Sequence, residues 1–170
     1  MARSGSVDKG IARAWREAGL DDVFRAFWED DAKSPRKARY EPLSHGEARP
    51  NTPHPYAVVE VVAAPITGHS SGRKAGDQQE YRDASVQIRI HAKDDRKAKR
   101  SAKSIAQELA TKVDAAIGPP NKLDMSPGLC HLNTVRVNDF FQREGDSEAF
   151  VVLLYEMRVE ASNSLGFEQV

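Results

Sequence analysis

Little in this sequence could staple the chain, span a membrane or attract a strongly charged partner. Only one cysteine, Cys130, stands among 170 residues. That excludes intrachain disulfides and multi-cysteine zinc sites. Charge of one sign is also missing, because 25 Lys and Arg cancel 25 Asp and Glu. General nucleic-acid binders carry a basic excess to neutralise phosphates, and this chain has none, although a local basic patch stays open. No apolar run reaches the roughly 18–20 residues that a bilayer span needs. The first residues, Met1-Ala2-Arg3-Ser4-Gly5-Ser6, lead into an amphipathic segment and not into an apolar signal core. These absences predict a soluble chain, intracellular in origin, with no membrane contact. Aromatic residues are sparse at 7%, hydrophobic residues reach 39%, and mean hydropathy is −0.61. A core that thin predicts polar arms, long loops, or burial completed by partner subunits.

Periodicity organises what is there. Val7, Ile11, Ala14, Trp15 and Ala18 recur at helical spacing, with Ser6 as N-cap and Gly19 as stop. Leu20, Val23, Phe24, Phe27 and Trp28 form a second short apolar stripe, opened by Asp21 and Asp22 where the helix dipole favours acids. From Asp30 to Pro55 prolines break the pattern, leaving loop and one short strand around Arg39 to Leu43. Tyr56 to Ala64 is β-branched and apolar on both faces apart from Glu60, as in a central strand covered on two sides. Arg82 to Ala92 alternates: Ala84, Val86, Ile88, Ile90 and Ala92 face one way, and Ser85, Gln87, Arg89 and His91 the other. Pro65 to Tyr81 between them reads as a long hairpin loop. Arg96 to Ile117 reads as the longest helix, about 33 Å at 1.5 Å per residue. Its stripe is Ala98, Ala102, Ile105, Leu109, Val113 and Ala116, with Asp94 or Asp95 as cap and Gly118-Pro119-Pro120 as stop. Two more strands lie near Cys130 to Phe141 and Ala149 to Glu160. The expected fold class is α+β, an antiparallel or mixed sheet of about four strands with one long helix packed across it and helices at the N-terminus. The expected organisation is a flexible arm over 1–6, one domain over 7–160 with the loop at 65–81, and a tail over 161–170.

The residues offer little chemistry. No two of His45, His54, His69, His91 and His131 stand at the i, i+4 spacing of metal ligands on one helix face. All five read as surface or internally satisfied histidines. Cys130 and His131 are adjacent on an expected strand and so point to opposite faces, which rules out a Cys-His pair and leaves a structural, partly buried cysteine. Gly68, Gly72 and Gly76 have no following Gly-Lys-Ser/Thr and open no helix, so they form no phosphate loop. Asp83 and Lys93 sit only at the two ends of their strand, too far apart for a metal-dependent nuclease. No catalytic, metal or cofactor site is expected.

Charge clusters are the stronger feature. Lys93, Arg96, Lys97, Lys99, Arg100 and Lys103 fall in what reads as the first turns of the long helix, where bases oppose the macrodipole. Glu29, Asp30 and Asp31 end a helix, equally against the dipole. A solvated face with ion pairs between subunits is the default reading of the basic run. An acidic protein partner and the DNA backbone are the alternatives. Arg96, Lys97 and Arg100 facing Glu29, Asp30 and Asp31 of a neighbour, and Arg73 and Lys74 in the loop, are the interface candidates.

Pro53-His54-Pro55-Tyr56-Ala57-Val58-Val59-Glu60 resembles the entry to the first sheet strand in the tail terminator, or tail completion, proteins of long-tailed bacteriophages. The order of elements is similar as well: a helix, this strand, a second strand like Gln87-Ile88-Arg89-Ile90-His91, a long helix like Ser101 to Ala106, and two closing strands. The resemblance spans roughly Ile11 to Glu160. It implies a non-enzymatic virion protein of the tail or neck, assembled in the host cytoplasm and needing no cofactor. Such a protein forms a ring of six copies at the head-proximal end of the tail tube. It stops tube growth, joins the tail to the head-tail connector or stopper, and lets DNA pass through its lumen without specific binding. Its implied partners are itself, the tail tube protein and the connector. Another neck or minor tail component, such as a stopper, and a small nucleic-acid-binding module are the alternative readings.

Overall fold

A computed structural model describes residues 2–28, 40–69, 79–96, 98–126, 129–143 and 147–162. Three helices and five strands follow in the order α1 (Ala2–Glu17), α2 (Leu20–Arg25), β1 (Leu43–His45), β2 (Tyr56–His69), β3 (Gln79–Lys93), α3 (Ala102–Ile117), β4 (Cys130–Arg143) and β5 (Glu148–Ser162). The strands form one mixed sheet in the order β1-β2-β3-β5-β4, an α+β architecture with one strand more than expected. β1 pairs with β2 in parallel over only three residues, while every other pairing is antiparallel.

Helices cover one face of this sheet. Ala84, Val86, Ile88, Ile90 and Ala92 of β3 are buried there as their alternation requires. They join Ala57 and Val59 of β2, the alternate positions Ala149 to Val159 of β5, and Ile105, Leu109, Val113 and Ile117 of α3. Val7, Ile11 and Trp15 of α1 and Leu20 and Phe24 of α2 complete this core. The Trp15 and Phe24 rings stand 5.0 Å apart, and the Trp15 indole N–H donates to Asp21 at 2.8 Å. Gly19 lies between the two helices at φ 67°, a left-handed conformation that any side chain would strain. α3 is tied to the sheet by Asp114, which accepts from the Tyr155 hydroxyl at 2.5 Å and pairs with Arg136 of β4.

Several expectations need correction. α3 begins at Ala102 and not at Arg96, so it is about 24 Å long at 1.5 Å per residue. Ser101 is its N-cap and accepts from the Ser104 amide at 3.1 Å, while the Asp94 carboxylate accepts from the Ala102 amide at 2.7 Å. Residues 95–100 close a turn by mutual Asp95–Arg100 backbone hydrogen bonds, with Ala98 exposed outside the stripe. The bases from Lys93 to Arg100 therefore precede the helix, and of the basic run only Lys103 stands in its first turn.

The loop expected at 65–81 is shorter. β2 runs to His69 and β3 starts at Gln79, because register shifts after Ala63 and Ile66 absorb the extra residues of β2 and let pairing resume. Residues 70–78, with Arg73 and Lys74, lie outside the described residues. β5 extends to Ser162 opposite Gln79, so the expected tail loses its first two residues to the sheet, and 163–170 lie outside the description. α1 reaches back to Ala2 through the expected arm, since no proline in that stretch stops the helix. The short strand lies at Leu43–His45, overlapping the expected position only at Leu43. β2 is not covered on both sides: Glu60 and Val62 are exposed opposite the helices.

Candidate assembly surface

The face of the sheet away from the helices carries the groups that sequence patterning left without a role. Down β3 it presents Asp83, Ser85, Gln87, Arg89 and His91, and on β5 their register partners Arg158, Glu156, Leu154, Val152 and Phe150. Arg158 clamps Asp83 with both of its guanidinium contacts, at 2.9 and 3.2 Å, and this holds the Asp83 carboxyl below its ordinary range. At one end of the face a row of rings crosses the sheet. His54 meets Tyr56 at 4.9 Å, Tyr56 stacks on His91 at 4.8 Å, and His91 meets Phe150 at 5.2 Å. Lys93 and Glu148 pair beside them at 3.2 Å. Burial first, and then the Lys93 ammonium, pushes His54 down to about 4.

The face is also where apolar surface meets water. Val62 on β2 is 65% exposed, and Val135 and Val137 on β4 are 53% and 56% exposed. These are the large hydrophobic side chains left in solvent among the described residues, and all three sit on the outer long strands of the sheet.

An open depression of about 1220 Å³ lies at the same end of the sheet as the ring row. Its walls include Phe27 and Trp28, the 48–56 segment, Lys93 and Arg96. The Trp28 indole N–H donates to the Pro55 carbonyl at 2.8 Å. Asp94 and Asp95 line the depression too, but the Asp94 carboxylate accepts from the Ala102 amide that opens α3 and the Asp95 carboxylate from the Ala98 amide of the turn before it.

The interface candidates from the sequence fare unequally. Arg96 is exposed on the turn before α3 and faces the depression. Arg100 is engaged within the chain: it pairs with Glu108, reaches Ser104 at 3.4 Å and lies over the Phe27 ring at 5.8 Å. Glu29, Asp30, Asp31, Lys97, Arg73 and Lys74 lie outside the described residues. Sequence reasoning missed the exposed valines. Their types fit a strand interior, and only the strand order reveals that they stand at the margins.

Histidine and cysteine take ordinary places. His131 is buried, and its Nδ1 accepts from the Leu123 amide at 2.9 Å. The proton therefore sits on Nε2, 2.7 Å from the Thr134 hydroxyl, and burial lowers the pKa. Cys130 is exposed and not partly buried as expected, because the alternation that buries His131 turns its neighbour to the open face. Among the described residues no group of three or more His, Cys, Asp or Glu side chains gathers to hold a metal ion. No helix there is long and apolar enough to cross a membrane.

No protein-family model matches the chain, and no curated protein matches it. Among solved structures it is similar to a chain from the virion of a native gene transfer agent particle, at 15% identity and a TM-score of 0.43, over 71% of this chain and 79% of that one. A second solved chain is similar at 17% identity and a TM-score of 0.39, over 88% and 94% of the two chains. At TM-scores this low neither likeness establishes a shared fold.

Proposed function

We propose that this protein is a structural virion component, a tail terminator. Copies of it form a ring at the head-proximal end of a phage tail tube, stop tube growth and join the tail to the head-side connector. The observation that carries this reading is the one-sided sheet. Helices bury one face, and the other holds exposed valines on both outer long strands beside a largely polar, ion-paired surface. A subunit built this way gains its missing burial from neighbours, as ring-forming chains do. With α2 and β1 set aside, the elements of this fold follow the order named by the resemblance, from an N-terminal helix through two strands and a helix to two closing strands. In this reading the chain acts by contact and performs no catalysis. Arg96 and Lys97 meet Glu29, Asp30 and Asp31 of a neighbouring copy as the polar part of that contact. Arg73 and Lys74 face an adjoining ring, and DNA passes along the axis.

Sizing the purified chain by light scattering and imaging it by negative-stain electron microscopy tests the proposal. Closed rings with a hollow centre, which cap growing tubes of the cognate tail tube protein, are expected. A monomer at every concentration that also leaves tube length unchanged would overturn it.

A further inference from the structure

Resting on the ring reading, we infer that the two outer long strands are the two halves of one joint, β4 of each copy pairing with β2 of the next. Strand direction is the first support. β2 is antiparallel to β3, β3 to β5 and β5 to β4, so β4 runs opposite to β2. Rotating one copy about an axis roughly parallel to the strands places β4 beside the neighbour's β2 in antiparallel orientation. The alternation of the sheet then continues across the joint without a break.

Height is the second support. Val62 pairs with Ser85, Ser85 with Glu156 and Glu156 with Val135, so the two exposed valines stand in one row of the sheet and on one face. Val61 shares a row with Arg136 through Val86 and Tyr155, and Ala63 with Thr134 through Ala84 and Met157. A level joint therefore lays Val62 of one copy against Val135 of the next and withdraws both from water.

Regularity is the third. β1 covers β2 only from Ala57 to Val59, and the first register shift in β2 follows Ala63. Among the described residues Glu60 to Ala63 thus has no strand paired on its outer side. In β4 the register shifts fall between His131 and Asn133 and between Arg136 and Asn138, which leaves Asn133 to Arg136 regular. The two regular stretches stand at the same height. Bulges elsewhere on an edge discourage unspecific pairing, so these shifts restrict addition to one short, defined ladder. A joint of β4 with β4, or of β2 with β2, would cover the valines of one edge and leave those of the other in water. Only the head-to-tail joint covers both, and that type of contact closes a ring.

Cysteine pairing reads this joint directly. Within one chain Val62 and Val135 are three strand spacings apart, roughly 14 Å at about 4.8 Å per spacing. A disulfide needs Cα atoms within about 4.4–6.8 Å, so any bond between these positions joins two copies. In a Cys130→Ser background, Val62→Cys combined with Val135→Cys, and separately with Val137→Cys to allow a shifted register, is oxidised and run on a non-reducing gel. We expect a covalent ladder rising to the ring size from at least one double variant, and monomers from each single variant. Rings in the microscope with no ladder from either double variant would overturn the edge joint and leave the ring reading standing. Dimers from a single variant would show a two-fold joint and overturn it too. Absence of both rings and ladder would sink both proposals.

Discussion

The two faces of the sheet are built from the same strands by opposite rules. Under the helices every inward position from Ala84 to Ala92 is apolar and buried, and Asp114 with Tyr155 and Arg136 and His131 with Leu123 and Thr134 are polar ties on that side. On the other side, charges pair across strands, rings stack in a row at one end, and valines stand in solvent at the margins. The first face holds the chain together through burial, at roughly 25 cal/mol per Å² of apolar area. The second buries Val58, Val152 and His91 toward the ring-row end and leaves Val62 and Val135 in water where contacts can use them. Stability and assembly should therefore respond to substitutions on different faces.

Leu109→Ala gives the largest test of that division. Leu109 is fully buried between α3 and the sheet, so its truncation should cost about 2–5 kcal/mol in a denaturant titration. A near-neutral result would break the comparison on its helical side. Tyr155→Phe comes next. It removes the donor to a carboxylate and should cost roughly 1.5–3 kcal/mol, the range for hydrogen bonds to charged groups.

Acid should act on both faces through two imidazoles whose folded pKa values lie below 6.5, His131 in the core because of its burial and His54 in the ring row because of burial and Lys93. Each binds fewer protons folded than unfolded, so stability rises with pH below 6.5 and the full contribution is present above it. For His54 the window extends down to about 4. One proton contributes at most about 1.4 kcal/mol per pH unit. Denaturant midpoints measured from pH 7 to pH 4 should fall, and His131→Phe should flatten the fall. An equal fall in the variant would place the effect on the open face alone.

On that open face, Arg158→Ala should lower the midpoint less than Tyr155→Phe does, and the loss should shrink further in high salt, as exposed pairs do. Val62→Ser should have the smallest effect on the isolated chain, within about 0.5 kcal/mol, because the side chain is already in solvent. The same variant should lose the high-mass species in sizing. If it assembles normally, the open face is not the contact surface.

The helical face was legible in the sequence because alternation and helical stripes are local signals. Ala84 to Ala92 on β3 and Ile105, Leu109 and Val113 on α3 were read at their positions. The start of α3 was misread for a physical reason. Arg96 to Arg100 have good helix propensity behind two possible caps, yet the Asp95–Arg100 backbone pairing closes a turn and moves the cap to Ser101. The part of β2 beyond Ala64 is hidden in the sequence by Pro65 and Gly68, which the register shifts accommodate. The candidate surface was the least legible part. Val62, Val135 and Val137 look like interior strand residues until strand order, a long-range property, puts β2 and β4 at the outside.

The Trp28 indole fastens the Pro55 carbonyl and the β1–β2 pairing fastens His45, so residues 46–54 form a clasped loop. Once its ends are fastened, the entropy of such a loop depends only logarithmically on its length, and doubling it adds about 0.6 kcal/mol. Polymer statistics thus let this stretch lengthen or shorten over generations while the sheet stays in place, provided that the tryptophan and the carbonyl still meet. Length polymorphism in diverging copies of this gene should accordingly concentrate between the two ends of the clasp and spare the β3–β5 pairing, where every inserted residue turns a side chain from one face of the sheet to the other.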